Sequence, residues 1–281
     1  MPSQGLLVID CGSGGTRVWR QLEDGGFERV SWPSGKAPVL STCMRTKEGR
    51  EGFAHAVSLF GSCCFIGATA GMRHALEVGD LLNQDLAAMR ALLPGGCELR
   101  VLSPLEEARY ELHAMRRHCE PSDGMLSMGG KSMQIACGDA VYSLPFAMHF
   151  GSAILREEGS PWLERVDRCS REYQTLVAQE RERQSLQLQG TFVCVTDTVI
   201  VGKELELLDR YIASCELLEI LSTRAKALRQ CFEDRDVVHA ARVLLMHAVI
   251  SGLFAESRFI FRSDFEVSWT SGYFSMHGQE Q

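Results

Sequence analysis

The sequence predicts a mixed α/β protein built as two lobes. Three observations carry that prediction. Short apolar or β-branched runs alternate with longer stretches of helical spacing. One feature occurs twice, at residues 9–16 and 125–134: an apolar run enters a glycine-rich tip and leaves as a second run. The two copies stand about a hundred residues apart, each at the head of a strand-and-helix segment, as an internal duplication would place them. The length of 281 residues leaves room for one large or two medium domains with a core.

The elements follow in order. Gly5-Leu-Leu-Val-Ile-Asp10 reads as a strand, Cys11-Gly-Ser-Gly-Gly15 as a flexible tip and Thr16-Arg-Val-Trp-Arg20 as the returning strand. Gly25-Gly26 makes a turn before a third strand at 27–32, and 33–45 reads as loop. Apolar residues at helical spacing predict a helix over 47–60, and the apolar run 63–66 predicts a buried strand. A helix over 81–93 closes at Pro94-Gly-Gly96, and 98–102 is a strand. Ser103 then caps a helix, Pro104 suits its first position, and Glu106 completes a capping box. Leu105, Ala108, Leu112 and Met115 form its expected core face. After the second hairpin come a strand at 141–145, charged helical composition over 151–189, a strand at 192–195, and helix over most of 204–254. Residues 265–273 return to aromatic and β-branched types. The turn composition of Glu120-Pro-Ser-Asp-Gly124 marks a lobe boundary, with a return crossing near 254–265. The expected domains are 1–120, joined by 256–281, and 121–255.

Composition excludes several classes. With 29 Lys plus Arg against 36 Asp plus Glu the net charge is −7, which argues against general binding of nucleic acid or anionic membrane. A phosphate-bearing ligand must therefore be held by local donors. The 11 cysteines are scattered, odd in number and without a Cys-x-x-Cys pair, which fits thiols in a reducing, cytoplasmic compartment. No charged-then-apolar leader precedes Gly5. The most apolar long window, 237–254, is interrupted by His239, Arg242 and His247 and reads as a buried helix, so no membrane span is expected. The eight histidines show no metal-ligand spacing. The oligomeric state is not written in the sequence.

The two tips carry the candidate chemistry. Gly12, Gly14 and Gly15 let the backbone approach a phosphate and aim N–H groups at it. Ser13 and Thr16 add hydroxyls, and Arg17 a bidentate cation. Asp10 offers an oxygen ligand to Mg²⁺ or Ca²⁺. The second tip, Gly129-Gly-Lys-Ser132, lacks the spacing of a P-loop but pairs with the first as a second phosphate clamp. Gly67-Ala-Thr-Ala-Gly-Met-Arg73 puts small residues, Thr69 among them, where a strand turns into a helix. Such a place suits either an anion or close packing. Glu106 is accounted for by the capping box, whereas Glu107 reads either as a charge favourable to the helix dipole or as a carboxylate able to deprotonate a water. Trp269 and Tyr273 suit a stacked base or a core.

Taken together, these segments resemble the apyrase family, the nucleoside triphosphate diphosphohydrolases. Asp10-Cys-Gly-Ser-Gly-Gly-Thr-Arg17 is similar to the family's first motif, and Gly67-Ala-Thr-Ala-Gly-Met-Arg73 matches its second. Leu102-Ser-Pro-Leu-Glu-Glu-Ala-Arg-Tyr110 looks like the third, Met128-Gly-Gly-Lys-Ser-Met-Gln134 like the fourth, and Val267-Ser-Trp-Thr-Ser-Gly-Tyr273 like a C-terminal Trp-x-x-Gly segment. The wording Glu-Glu-Ala-Arg also leans toward the sister family of exopolyphosphatases and guanosine pentaphosphate phosphohydrolases. The resemblance implies a two-lobed actin-like (ribonuclease H-like) α/β fold with a central cleft. It implies hydrolysis of the terminal phosphate of a nucleoside tri- or diphosphate, with Mg²⁺ or Ca²⁺. By the same resemblance Glu107 is the base, and Ser132 and Gln134 position the water. Gly12, Ser13, Gly14, Gly15, Thr16, Arg17, Thr69, Gly129 and Gly130 touch phosphates, Asp10 holds the hydrated metal, and Lys131, for which the family has Ala, either adds positive charge to the phosphates or obstructs them. The chain departs from the pattern at Ser127, where the family has a second metal-side Asp, at Lys131 for Ala and at Met133 for Thr. Three readings follow: an apyrase-like nucleotidase, an exopolyphosphatase-like enzyme, or an impaired nucleotide-binding relative.

Overall fold

The computed structural model describes residues 6–23, 26–61, 64–118, 122–230, 237–262 and 268–277. Gly5, Gly25, Cys63, Glu120, Pro121 and residues 265–267, to which expectations were attached above, lie outside them.

The described strands, in chain order, are β1 (Leu7–Gly12), β2 (Gly15–Gln21), β3 (Phe27–Val30), β4 (Cys64–Ala68), β5 (Glu98–Val101), β6 (Gly124–Met128), β7 (Met133–Cys137), β8 (Ala140–Leu144), β9 (Leu188–Thr196), β10 (Tyr211–Ala213) and β11 (Phe254–Phe261). The helices are α1 (Leu40–Cys43), α2 (Lys47–Ser58), α3 (Ala70–Glu77), α4 (Asn83–Leu92), α5 (Pro104–His118), α6 (Met148–Arg156), α7 (Trp162–Gln184), α8 (Asp197–Glu204), α9 (Ser214–Gln230), α10 (Val237–Leu253) and α11 (Trp269–His277).

The chain divides into two compact units, Met1–Ala114 with Trp269–Gln281, and Met115–Ser268. The first contains a sheet in the order β3-β2-β1-β4-β5, in which β1, β4 and β5 run parallel and the β1–β2–β3 meander antiparallel. The second sheet has the order β10-β11-β9-β6-β7-β8. Within it β6, β9 and β11 run parallel and β6–β7–β8 form an antiparallel meander. Read outward from β1 and from β6, both sheets carry the same pattern of one meander and two parallel partners. The duplication seen in the two hairpins thus extends to whole sheets.

The central strands are apolar on both faces because helices cover both: β4 and β6 are buried at every position. Each buried Ile, Leu or Phe of this kind contributes about 1.5–3 kcal/mol. The first unit packs Leu7, Ile9, Phe53 and Ile66 in one core and Val8, Phe65, Leu102, Trp269 and Phe274 in another. The second unit buries one core around Phe192, Phe259, Phe261 and most of α10. No helix among the described residues is long and apolar enough to cross a membrane.

Three local expectations are corrected. Leu105 is 44% exposed, so the core face is Ala108, Leu112 and Met115. Residues 254–261, read as part of a crossing, are strand β11, which pairs with β9 at the register Phe259↔Phe192. The supposed loop 33–45 contains the short helix α1 around buried Leu40.

Candidate active site

In the first unit, five segments bring the candidate groups together. Strand β1 carries Asp10 two residues before its end, and across the β1–β2 ladder its partner is Arg17. Arg17 Nη1 lies 3.4 Å from Asp10 Oδ2, and Trp269 Nε1–H donates to Asp10 Oδ1 at 3.0 Å. The Asp10 side chain is 13% exposed. Burial pushes its carboxyl above the usual range, opposed by the Arg17 charge and the Trp269 hydrogen bond.

The motif at 67–73 is built by close approach. A Cβ on Gly67 would sit 2.2 Å from the Trp269 ring, and one on Gly71 would sit 2.8 Å from Ser13 Cα. Glycine at these two places therefore lets α11 lie on β4 and lets the first hairpin tip rest on the first turn of α3. Thr69 links β4 to α3 and donates its N–H to the Cys11 carbonyl at 3.2 Å.

One turn into α3, Arg73 reaches the start of α5. Its Nη1 donates to the Leu102 carbonyl at 2.7 Å, and Nη1 and Nη2 both donate to Glu107 Oε2 at 3.1 Å. Both side chains are 12% exposed. Glu107 is aimed by the capping box, in which Ser103 N–H donates to Glu106 Oε2 at 2.8 Å and Glu106 N–H to Ser103 Oγ at 3.2 Å. Glu106 is thereby spent, and its carboxyl is held below the usual range by the Ser103 hydrogen bonds. Glu107 is pushed the other way. Burial raises it most, Arg73 opposes, and the negative Asp10 adds to the rise. Among the described residues Oε1 accepts no hydrogen bond, so it is the oxygen available to a water proton. A buried carboxylate with one anchored and one open oxygen is fit for general-base work.

The second unit repeats the hairpin with different side chains. Gly129 N–H donates to the Ser132 carbonyl at 2.9 Å and closes the tip, and His149 N–H donates to the Gly130 carbonyl at 2.7 Å. Ser132 and Gln134 are both buried, and Gln134 Nε2 donates to Ser132 Oγ at 2.8 Å. Burial first, then the Lys131 charge, lowers the pKa of His149. Ser127, where the resemblance expects a carboxylate, is buried with its hydroxyl 3.0 Å from Thr196 Oγ1. Thr196 is held at φ 59° and also accepts from Met128 N–H at 3.0 Å. That backbone costs energy for a β-branched residue and is retained at the end of β9, beside the second hairpin.

The structure does not bring the Thr16 hydroxyl to the Asp10 group. It donates to the Pro38 carbonyl at 2.5 Å, because Thr16 and Arg17 point to opposite faces of β2. Sequence reasoning gave no role to Arg73, which ends a motif it had quoted, nor to the Trp269 N–H. Their partners lie 34 and 259 residues away, and only the clustering of motifs hinted at them.

No group of three or more His, Cys, Asp or Glu side chains able to cage a metal occurs among the described residues. A hard ion such as Mg²⁺ does not need a cage, since it keeps waters and takes one or two carboxylates plus substrate phosphate. Asp10, with Glu107 close enough to feel its charge, fits that smaller requirement.

No protein-family profile matches the chain, and no curated protein matches it. Solved structures do. A Ppx/GppA family member from Aquifex aeolicus superposes with a TM-score of 0.63 at 16% identity, over 98% of this chain and 97% of that one. An exopolyphosphatase from Cytophaga hutchinsonii gives 0.61 at 9% identity, over 98% of each. An exopolyphosphatase-like protein gives 0.59 at 13% identity, over 98% and 99%. The chain has the actin-like α/β fold. These relatives in fold belong to the sister group named above, not to the apyrases.

Proposed function

We propose that this protein is a metal-dependent phosphohydrolase of the exopolyphosphatase kind, removing the terminal phosphate of a linear phosphate chain. The observation that carries the reading is Glu107: buried, anchored by Arg73 through Oε2 and open at Oε1. In the proposed step Glu107 takes a proton from water, and the water oxygen bonds to the terminal phosphorus. The bridging P–O bond breaks, giving orthophosphate and a chain shorter by one unit. Ser132 and Gln134 are proposed to orient the water. Arg17, Lys131 and the backbone of Gly12, Ser13, Gly14, Gly15, Gly129 and Gly130 are proposed to hold phosphate oxygens, with Thr69 setting the turn beneath the first tip. Mg²⁺, held through Asp10, would neutralise the charge that builds on the phosphate oxygens.

Hydrolysis of nucleoside tri- or diphosphates is the second reading, and the motif at 67–73 favours it. Against it, the aromatic residues offered as a base platform are occupied. Trp269 is 3% exposed and bound to Asp10, and Tyr273 stacks on Phe65 at 4.0 Å. Phosphate release from long-chain polyphosphate, ATP and ADP, with Mg²⁺, Ca²⁺ or EDTA, separates the two. Release from polyphosphate in preference to ATP is expected; release from nucleotides alone would reverse the order.

A further inference from the structure

A cavity of about 520 Å³ opens beside the first hairpin, between the β1–β2 tip, the end of β3 and the turn that follows it. Its lining includes Arg17, Arg29 and Lys36 and no carboxylate. In a chain of net charge −7 this is a local reversal of sign. Arg29 and Lys36 are exposed and make no ion pair among the described residues, whereas Arg17 is the cation already paired with Asp10. Glycines flank these cations. Gly14, Gly15 and Gly35 all line the cavity, and an added Cβ at any of them would meet nothing within 4 Å. The Gly35 N–H is spent on the Trp32 carbonyl at 2.9 Å, so the ligand-facing groups are the cations and the open tip at Gly14 and Gly15. They suit a ligand that is anionic along its length and lacks an apolar body. The volume lies within the range of small-molecule sites.

We infer that this cavity is a subsite for the inner phosphates of a polyphosphate chain whose terminal unit is processed at Glu107. Arg17, facing both Asp10 and the cavity, links the two. The inference rests on the phosphohydrolase reading and deepens it: the preferred substrate is longer than the phosphate chain of a nucleotide, and Arg29 and Lys36 set that preference. Neither residue touches the catalytic group.

The test compares the wild type with the double variant Arg29→Ala/Lys36→Ala on tripolyphosphate and on long-chain polyphosphate. Both side chains are exposed, so the melting temperature should not change. The expected result is a KM for the long chain raised about tenfold, from two lost phosphate contacts, with kcat and all constants for tripolyphosphate unchanged. Arg29→Lys/Lys36→Arg should restore the wild-type KM. Equal losses on both substrates, or no loss on either, would overturn the inference. Direct titration of each protein with long-chain polyphosphate keeps the two readings apart. Binding that weakens in the double variant, in a protein that hydrolyses nothing, would uphold the subsite and reject the hydrolase. Binding unchanged by the double variant would reject the subsite whatever the activity.

Discussion

If Glu107 is the proposed general base, Arg73 tunes the pH at which it is ionised. A general base must be ionised, so turnover rises with pH through the Glu107 pKa, and burial places that rise above the ordinary glutamate range. The Arg73 charge opposes the shift. Its removal in Arg73→Gln raises the pKa further, and the acid limb of the pH–rate profile should move to higher pH. A change in rate with an unmoved limb would show that Arg73 acts only on packing. Ser127 offers a second probe. If the missing carboxylate limits the site, Ser127→Asp raises Mg²⁺-dependent turnover. Its effect must be read beside a melting curve, because the new side chain would displace the Thr196 hydroxyl in a buried place. The capping box accounted for Glu106 in the sequence and left Glu107 open between a helix-dipole charge and a base; only the family resemblance singled it out. Arg73 was not readable from sequence, because an ion pair between two elements is set by their packing and not by spacing along either. The face taken by Thr16 was hidden for a similar reason. Alternation says that Thr16 and Arg17 diverge but not which of them meets the core.

The capping box and the glycines of 67–73 decide where these side chains go. Ser103→Ala removes the cap of α5 and should cost about 1 kcal/mol, read as a lower melting temperature. Because α5 carries Glu107, the same variant should lower kcat more than it raises KM. Gly67→Ala forces a methyl group into the Trp269 ring and should cost about 1–3 kcal/mol. A variant as stable as the wild type would mean that α11 does not rest on β4 as described. Hairpins, caps and strongly periodic helices could be read from sequence, since each is decided within a few residues. Strand β11 was harder: its polar Glu256, Ser257 and Arg258 interrupt the apolar run, and its membership in the sheet depends on β9, more than sixty residues earlier. The exposure of Leu105 likewise depends on what α5 packs against.

Across the whole molecule, one topology appears twice, and the two copies have diverged where chemistry is at stake. The first hairpin ends beside a carboxylate, Asp10, while the corresponding strand of the second carries Ser127. On the proposed reading, a metal held through Asp10 without a second carboxylate at position 127 would lean on substrate phosphate and water, so turnover should be abolished by EDTA and restored by Mg²⁺. The duplicated hairpins pointed to two related α/β lobes and the resemblance to the actin-like fold, but the choice between sister activities was not legible, because both share those hairpins. The measurement that bears most directly on this account is orthophosphate release from long-chain polyphosphate with Mg²⁺ by the wild type beside Glu107→Gln. The account predicts a loss of about 10²–10⁴-fold in kcat for the variant, with polyphosphate binding retained. Turnover that survives in Glu107→Gln would contradict it.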